Sequence, residues 1–452
     1  MFTAAFEPFL KQAPLCVMTR LTLENLFRPE RLDALFRDTA QRQYQKEVLF
    51  SQIVELMMSV VLRVRPTVLA AYKLSETPLP VSDQAIYDKL QSMELGVSAA
   101  LVADSADQIR PVIEALGAGQ APWLPGYHTR VLDGNHLSAT QRRLKVLRNT
   151  WAAALPGKVL AIYDQDWDLV TDVIMTPDGH AQERSLFDEV LPKVQAKDLW
   201  IADRNFCTLK FLFGIDARQA AFVIRQHGTL EGRLLGQRRS RGRTKTGRVF
   251  EQSIELEYQG QTLRCRRITL LLDEPTQDGD TEIHILTNLP EDVANARLVA
   301  DLYGKRWTIE GRFYEVTQTL NCEPNTLGYP KAALFAFCLA LVASNAVALM
   351  KASLRAVHGA PAVEELSTYY VSLEIRETYR GMMIALPPAS WRKFAHLTPA
   401  DLAATLRELA GYVRMERYRK SRRGPKKPPP PRGKYTNGGH VSTHKLLQEN
   451  RK

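Results

Sequence analysis

From Leu21 to about Pro125, apolar residues recur every three or four positions in LTLENLF, RLDALFRDTA, QKEVLFSQIVELMMSVVLRV and SDQAIYDKLQSM. That spacing predicts helices throughout, with Ser82 or Asp83 as the cap of the last. The texture changes at Arg130, where TRVLDG, KVLAIYD and LVTDVIMT are short β-branched runs broken by DQDWD and PDGH. They predict three consecutive strands, followed by a helical ERSLFDEVLPKV and a fourth strand, LWIAD, ending at Asp203. Further strands are expected in AAFVIRQ, SIELEY, LRCRRITLLL and EIHILTNL; in SIELEY, Ile254, Leu256 and Tyr258 alternate with Glu255 and Glu257. Tyr303, Arg306, Glu310 and Phe313 then recur at three or four residues, which puts them on one face of a predicted helix. Residues 332–350 (AALFAFCLALVASNAVALM) are borderline in length for a membrane span and contain Ser344 and Asn345, so a buried core helix is expected there.

These patterns divide the chain. Residues 1–125 are read as a helical N-terminal domain, where two short helices around a turn would suit DNA reading but also any all-helical fold. A mixed α/β core follows in two parts, 126–215 and 296–350, separated by a β-rich insertion at 216–295. Residues 351–410 are read as a helical C-terminal domain, and 411–452 as a basic disordered tail. The tail sequence RYRKSRRGPKKPPPPRGKYTNGGH mixes Pro and Gly with basic residues and lacks the apolar side chains a core requires.

Charge adds a partner to this outline. From Gly411 to Lys452 there are 13 Lys and Arg against 2 Asp and Glu, which equals the net +11 of the whole chain, so the first 410 residues are neutral overall. A basic tail on a neutral body points to a polyanion, nucleic acid first, because Lys and Arg release counterions condensed on phosphates. Within the insertion, GRLLGQRRSRGRTKTGR concentrates Arg238, Arg239, Arg241 and Arg243 with few apolar anchors. It is read as a loop, either a DNA-gripping arm or a solvated hairpin tip, and DNA contact is favoured. The five cysteines form no CxxC pair, which fits reduced thiols in a cytosolic protein, and the N-terminus carries no export pattern.

The candidate chemistry rests on three carboxylates, Asp133 closing one strand, Asp203 closing another and Glu310 on the later helix. Cleaving or joining a phosphodiester requires a positioned nucleophile and stabilisation of charge on the attacking and leaving oxygens. Two magnesium ions about 4 Å apart do both, and such hard cations take carboxylate ligands. Asp before Gly is also a common turn residue, and Arg306 with Glu310 is also an ordinary i,i+4 pair. Other constellations fail. Asp164, Asp166 and Asp168 imitate a calcium loop but are followed by Leu169 and Met175 where Gly and Glu are needed, and His136 is read as a structural histidine. No Walker A, HExxH or GxSxG sequence occurs, so nucleotide is not an expected partner.

The segment ILTNLP followed by YGKRWTIEGRFYE resembles the signature of the DDE transposases of bacterial insertion sequences. Within these it is similar to the insertion-sequence-four group, marked by Y, two residues, R, three residues, E, six residues, K. LDGNH resembles that family's first-aspartate motif and IADRNF its second, and the resemblance covers roughly residues 20 to 400. It implies an RNase H-like catalytic core interrupted by a β-rich insertion, with helical regions at both ends. It also implies Asp133, Asp203 and Glu310 as ligands of two Mg²⁺ ions, with Mn²⁺ as a substitute. Tyr303 and Arg306, with Arg204 of the second motif, become contacts to double-stranded DNA at the element's ends. The implied activity is cleavage at terminal inverted repeats and strand transfer into target DNA by a homodimer, in a cytoplasmic, nucleoid-associated protein. A transposase-derived DNA-binding protein and an RNase H-like nuclease without strand transfer are the alternatives. The signature lysine is Thr317 here, with Arg312 or Gln318 as possible replacements.

Overall fold

A computed structural model describes the chain except residues 1, 44–46, 76–77, 139, 142–143, 151, 277–278, 325, 422–439 and 450–452. Its strands are β1 (His128–His136), β2 (Ala153–Leu155), β3 (Lys158–Asp164), β4 (Leu169–Thr176), β5 (Asp198–Ala202), β6 (Ala221–Arg225), β7 (Arg233–Arg243), β8 (Gly247–Tyr258), β9 (Gln261–Leu272), β10 (Glu282–Thr287) and β11 (His440–Ser442). Nine of them form one sheet in the order β4-β3-β1-β5-β6-β10-β9-β8-β7. The expected three hairpin-linked strands are β1, β3 and β4, each antiparallel to the next, while β5 and β6 join parallel to β1. The insertion is not a separate unit. β10 pairs antiparallel with β6, so β7 to β10 prolong the same sheet.

Alternation along the strands gives the sheet two apolar faces. Val131, Val159, Ala161, Ile201 and Val223 pack with the N-terminal and C-terminal helices, whereas Leu132, Leu160, Ile162, Trp200 and Phe222 pack with Phe187, Val190 and the Leu209–Asp216 helix. The helices before residue 125 share this first core and do not close on one of their own: Phe50 in the Phe50–Val61 helix lies 6.0 Å from Phe335. Ser82, not Asp83, caps the helix it precedes, accepting the Ala85 N–H at 3.3 Å.

The apolar stretch at 332–350 belongs to the Pro330–His358 helix, long and apolar enough to cross a membrane, with 89% of its most apolar window buried inside the fold. Asn345 in it is 1% exposed and acts as a strand partner for β4: its Oδ1 accepts the Val170 N–H at 2.9 Å and its Nδ2 donates to Val170 O at 2.9 Å and Ser105 Oγ at 3.0 Å. Asn345→Leu leaves the Val170 amide and carbonyl buried without partners. A loss of stability on the order of 3 kcal/mol is expected in denaturant unfolding; an unchanged midpoint would refute this role.

The end of the chain differs from the disordered tail expected from composition. Residues 422–439, which include its Pro-rich run, lie outside the described residues, but β11 pairs in parallel with β2 and leads into the Thr443–Glu449 helix.

Candidate active site

The site is built by strand register. In the parallel pair of β1 and β5, Leu132 faces Ala202, so the next residues, Asp133 and Asp203, leave the pairing side by side. Val131 and Ile201, two residues earlier on each strand, face the helical core, so both acids project from that same face. Asp203 ends β5 as expected, and its Oδ1 accepts the Asn205 N–H at 2.8 Å, capping the turn Arg204–Phe206. Asp133 does not end β1. The strand runs on to His136, because Gly134, Asn135 and His136 continue the antiparallel ladder with β3.

The third acid arrives on a helix that is not continuous. The Ala296–Gly304 helix ends before Lys305, and a second helix, Trp307–Thr319, starts just after Arg306. At this joint Arg306 turns inward and is 7% exposed. Its Nη1 meets Asp133 Oδ2 at 3.1 Å and its Nη2 meets Glu310 Oε1 at 2.7 Å, so one guanidinium bridges the first and third acids. Tyr303 is buried as well and hydrogen-bonds to Arg306. Lys305 and Trp307 face outward at this joint; Trp307 is 63% exposed, with the Arg306 guanidinium 5.2 Å from its ring centroid.

Burial pushes the Asp133 carboxyl up to about 7; Arg306 opposes the shift, and the neighbouring charges of Asp203 and Glu310 add to it. Those mutual influences are the electrostatic signature of three acids gathered in one place. A fourth carboxylate, Glu183, lies near Asp203 but on the face of β1 opposite Asp133. It stands against Gly134 so closely that any Cβ there would collide with its carboxylate, and it accepts from Asn205 Nδ2 at 3.4 Å. Its own carboxyl is raised by burial first, lowered by Lys158 and raised by Asp203. Nothing in the spacing of AQERSLF marks Glu183; the only trace is the glycine after Asp133, which reads equally as a turn.

Asp133, Asp203 and Glu310 supply the hard oxygen donors that Mg²⁺ or Mn²⁺ prefers, and the burial of Asp133 beside like charges calls for a positive partner. In chemistry the donor set fits such an ion. Arg306 provides that charge in this arrangement, and among the described residues no three His, Cys, Asp or Glu side chains converge closely enough to hold one ion.

The other residues expected at the site lie elsewhere. The arginine-rich segment is not a loop but edge strand β7, and most of its arginines are occupied. Arg238 pairs with Glu282 at 3.0 Å and lies over the Phe250 ring, Arg241 pairs with Glu251 at 2.7 Å and Glu291 at 3.0 Å, and Arg243 pairs with Asp273 at 2.7 Å. Arg239 is exposed on the same strand, opposite Glu251 in register. Arg204 is 3.9 Å from Asp280. Thr317 lies on the Trp307–Thr319 helix, and the side chains of Arg312 and Gln318 fall outside the described residues.

His136, expected as a structural histidine, is exposed at the end of β1 and lines a cleft with Lys158, His180 and His440. Asp164 and Asp166 sit at the β3–β4 turn, where Asp164 pairs with Arg130 and Asp166 with His128 at 3.1 Å.

No curated protein matches the chain. Among solved structures, a piggyBac transposase determined by cryo-EM in a synaptic complex with hairpin DNA is similar over 88% of this chain and 85% of that chain, with 9% identity and a TM-score of 0.37. Residues 126–346 match the family model of the transposase DDE domain. That span opens just before β1 and closes inside the Pro330–His358 helix, so it contains Asp133, Asp203 and Glu310, and it supports a DDE transposase family for this chain.

Proposed function

We propose that the chain is a transposase of the insertion-sequence-four group. In this reading it binds the terminal inverted repeats of its element, cuts the strands with water as nucleophile, and joins the freed 3′-hydroxyl to target DNA. The observation that carries the chemistry is the register of β1 and β5, which sets Asp133 and Asp203 side by side on the face where Glu310 arrives. An RNase H-like core is supported by the strand order β4-β3-β1-β5-β6, with only the second of these chain segments, β3, antiparallel to both of its neighbours.

Asp133, Asp203 and Glu310 are the residues that would hold Mg²⁺. When bound, such ions activate the attacking oxygen and stabilise charge on the leaving one. The chain's own residues set the frame. β1 and β5 fix two acids on rigid strands, and the bridge through Arg306 fixes Glu310 against Asp133. Arg306 and Tyr303 are buried, so their role in this reading is to position the acids, and Trp307 is a side chain at the same joint free to meet DNA. Double-stranded DNA is the substrate. Joining two ends in one event calls for two copies of the chain, so a homodimer on DNA is part of the proposal.

The test incubates purified protein and Mg²⁺ or Mn²⁺ with labelled duplexes carrying the element's ends and with a target plasmid. Cleavage at the end junction and labelled product in the plasmid are expected. Cleavage without transfer would reduce the protein to a nuclease, and binding without cleavage in either metal would overturn the enzymatic reading.

A further inference from the structure

Beyond Asp133, β1 continues for three residues to His136, about 10 Å along the strand. His136 faces Lys158 in the β1–β3 register, and both line a cleft whose other walls are Leu155, Gly179, His180 and His440. The chain brings these groups together from four places. His180 follows β4, and His440 comes from β11, more than 250 residues later, where it pairs alongside Ala153 of β2.

Two devices hold this late segment in place. Asp178 accepts the His180 N–H at 2.9 Å and pairs with Lys445 at 3.2 Å. Gly179 leaves room for β2, since a Cβ there would stand 2.7 Å from Leu155 Cβ. Asp178 is thus consumed in fastening β11 and the helix behind it.

The cleft's own chemistry is that of hydrogen-bond donors and cations. Lys158 is 6% exposed and its Nζ donates to Ala181 O at 2.6 Å, which fixes the ammonium in place. Glu183 is the carboxylate that opposes its charge, and Glu183 already accepts from Asn205 and lies near Asp203. His136 is held below the ordinary imidazole range by burial first and then by Lys158, His440 and His180. A metal is a poor match here: a cation would sit beside Lys158, and among the described residues no three His, Cys, Asp or Glu side chains are placed to hold one.

We propose that the cleft of His136, Lys158, His180 and His440, which opens on the face of the sheet opposite Asp133, binds backbone phosphate of DNA, with the C-terminal segment 440–449 as its outer wall. The inference rests on the transposase reading for the identity of the DNA, and on the cleft alone for the phosphate.

The test measures binding of the full chain to a fluorescent end-bearing duplex in EDTA, so that nothing is cut. His136→Gln/His180→Gln/His440→Gln is expected to bind about tenfold more weakly. His440→Arg is expected to bind several-fold more tightly and His440→Glu more weakly; both change one exposed side chain, so they decide the matter if the triple variant melts early. Equal affinity of wild type, His440→Arg and His440→Glu would overturn the proposal. If wild type binds and cuts while these variants match it, only the cleft assignment falls. If wild type binds no DNA, the transposase reading falls with it.

Discussion

Asp203→Asn is expected to abolish strand cleavage, by a factor of about 10³ or more, in a protein that folds and binds DNA as wild type does. The substitution keeps an Oδ1 acceptor for the Asn205 N–H, so the turn after β5 retains its cap and the stability cost is small. What it removes is one full negative charge beside Asp133 and one hard ligand. A metal-assisted phosphoryl transfer draws several kcal/mol from such ions, and each 1.4 kcal/mol is tenfold in rate, which sets the size of the loss. A second readout is independent of turnover: Mg²⁺ or Mn²⁺ is expected to raise the melting temperature of wild type and to leave that of Asp203→Asn nearly unmoved. Cleavage by Asp203→Asn within tenfold of wild type would remove Asp203 from the machinery.

Metal-free protein is expected to lose stability as pH rises from about 4 to about 7, and Asp133→Asn is expected to lose much less. The folded Asp133 carboxyl titrates near 7 while the ordinary value is 3.8, so between those values the folded chain holds a proton that the unfolded chain has released. Stability from this group is therefore complete below about 4, declines through the interval and is gone above the folded value. The interval spans about three units, which bounds the effect at a few kcal/mol. Melting curves in EDTA at pH 5 and pH 8 measure it. At pH 8 the wild type should fall further from its pH 5 value than Asp133→Asn does, and a saturating divalent cation should narrow that gap. Parallel profiles for the two proteins would show that Asp133 is not the group responsible.

The acids were legible in the sequence because β-branched runs end on them and because order supplies what a lone aspartate lacks. The chain's other features were legible only in part, for physical reasons that differ from place to place. Gly134 reads as a turn after Asp133, yet the strand continues, and the absent side chain is needed by Glu183 from another element. The segment around Arg238 reads as a loop because of its glycines and charges. In the fold those glycines serve the strand: Gly236 and Gly242 have φ of +66° and +96°, and the register of β7 against β8 shifts at these points.

Gly304 ends the first helix just before the joint at Lys305 and Arg306, but the three-and-four spacing of Tyr303, Arg306 and Glu310 runs across it, so periodicity carried one helix straight through. The composition of the tail argued against structure, but HVS is a short β-branched run whose partner, β2, is only three residues long. Neither strand announces itself alone.

Strand β7 also has a consequence for the protein's life in a crowded solution. It is the open border of a nine-stranded sheet, and an unpaired border of that kind is a template on which another chain can add. Five arginines stand along its eleven residues, and its register is bent at two points. Most of these arginines are matched by carboxylates of the same sheet, so it is the bends and the crowded charged side chains that keep two such borders from lying flat together, and the segment that looks built to grip a polyanion also guards copies of the protein against stacking edge to edge.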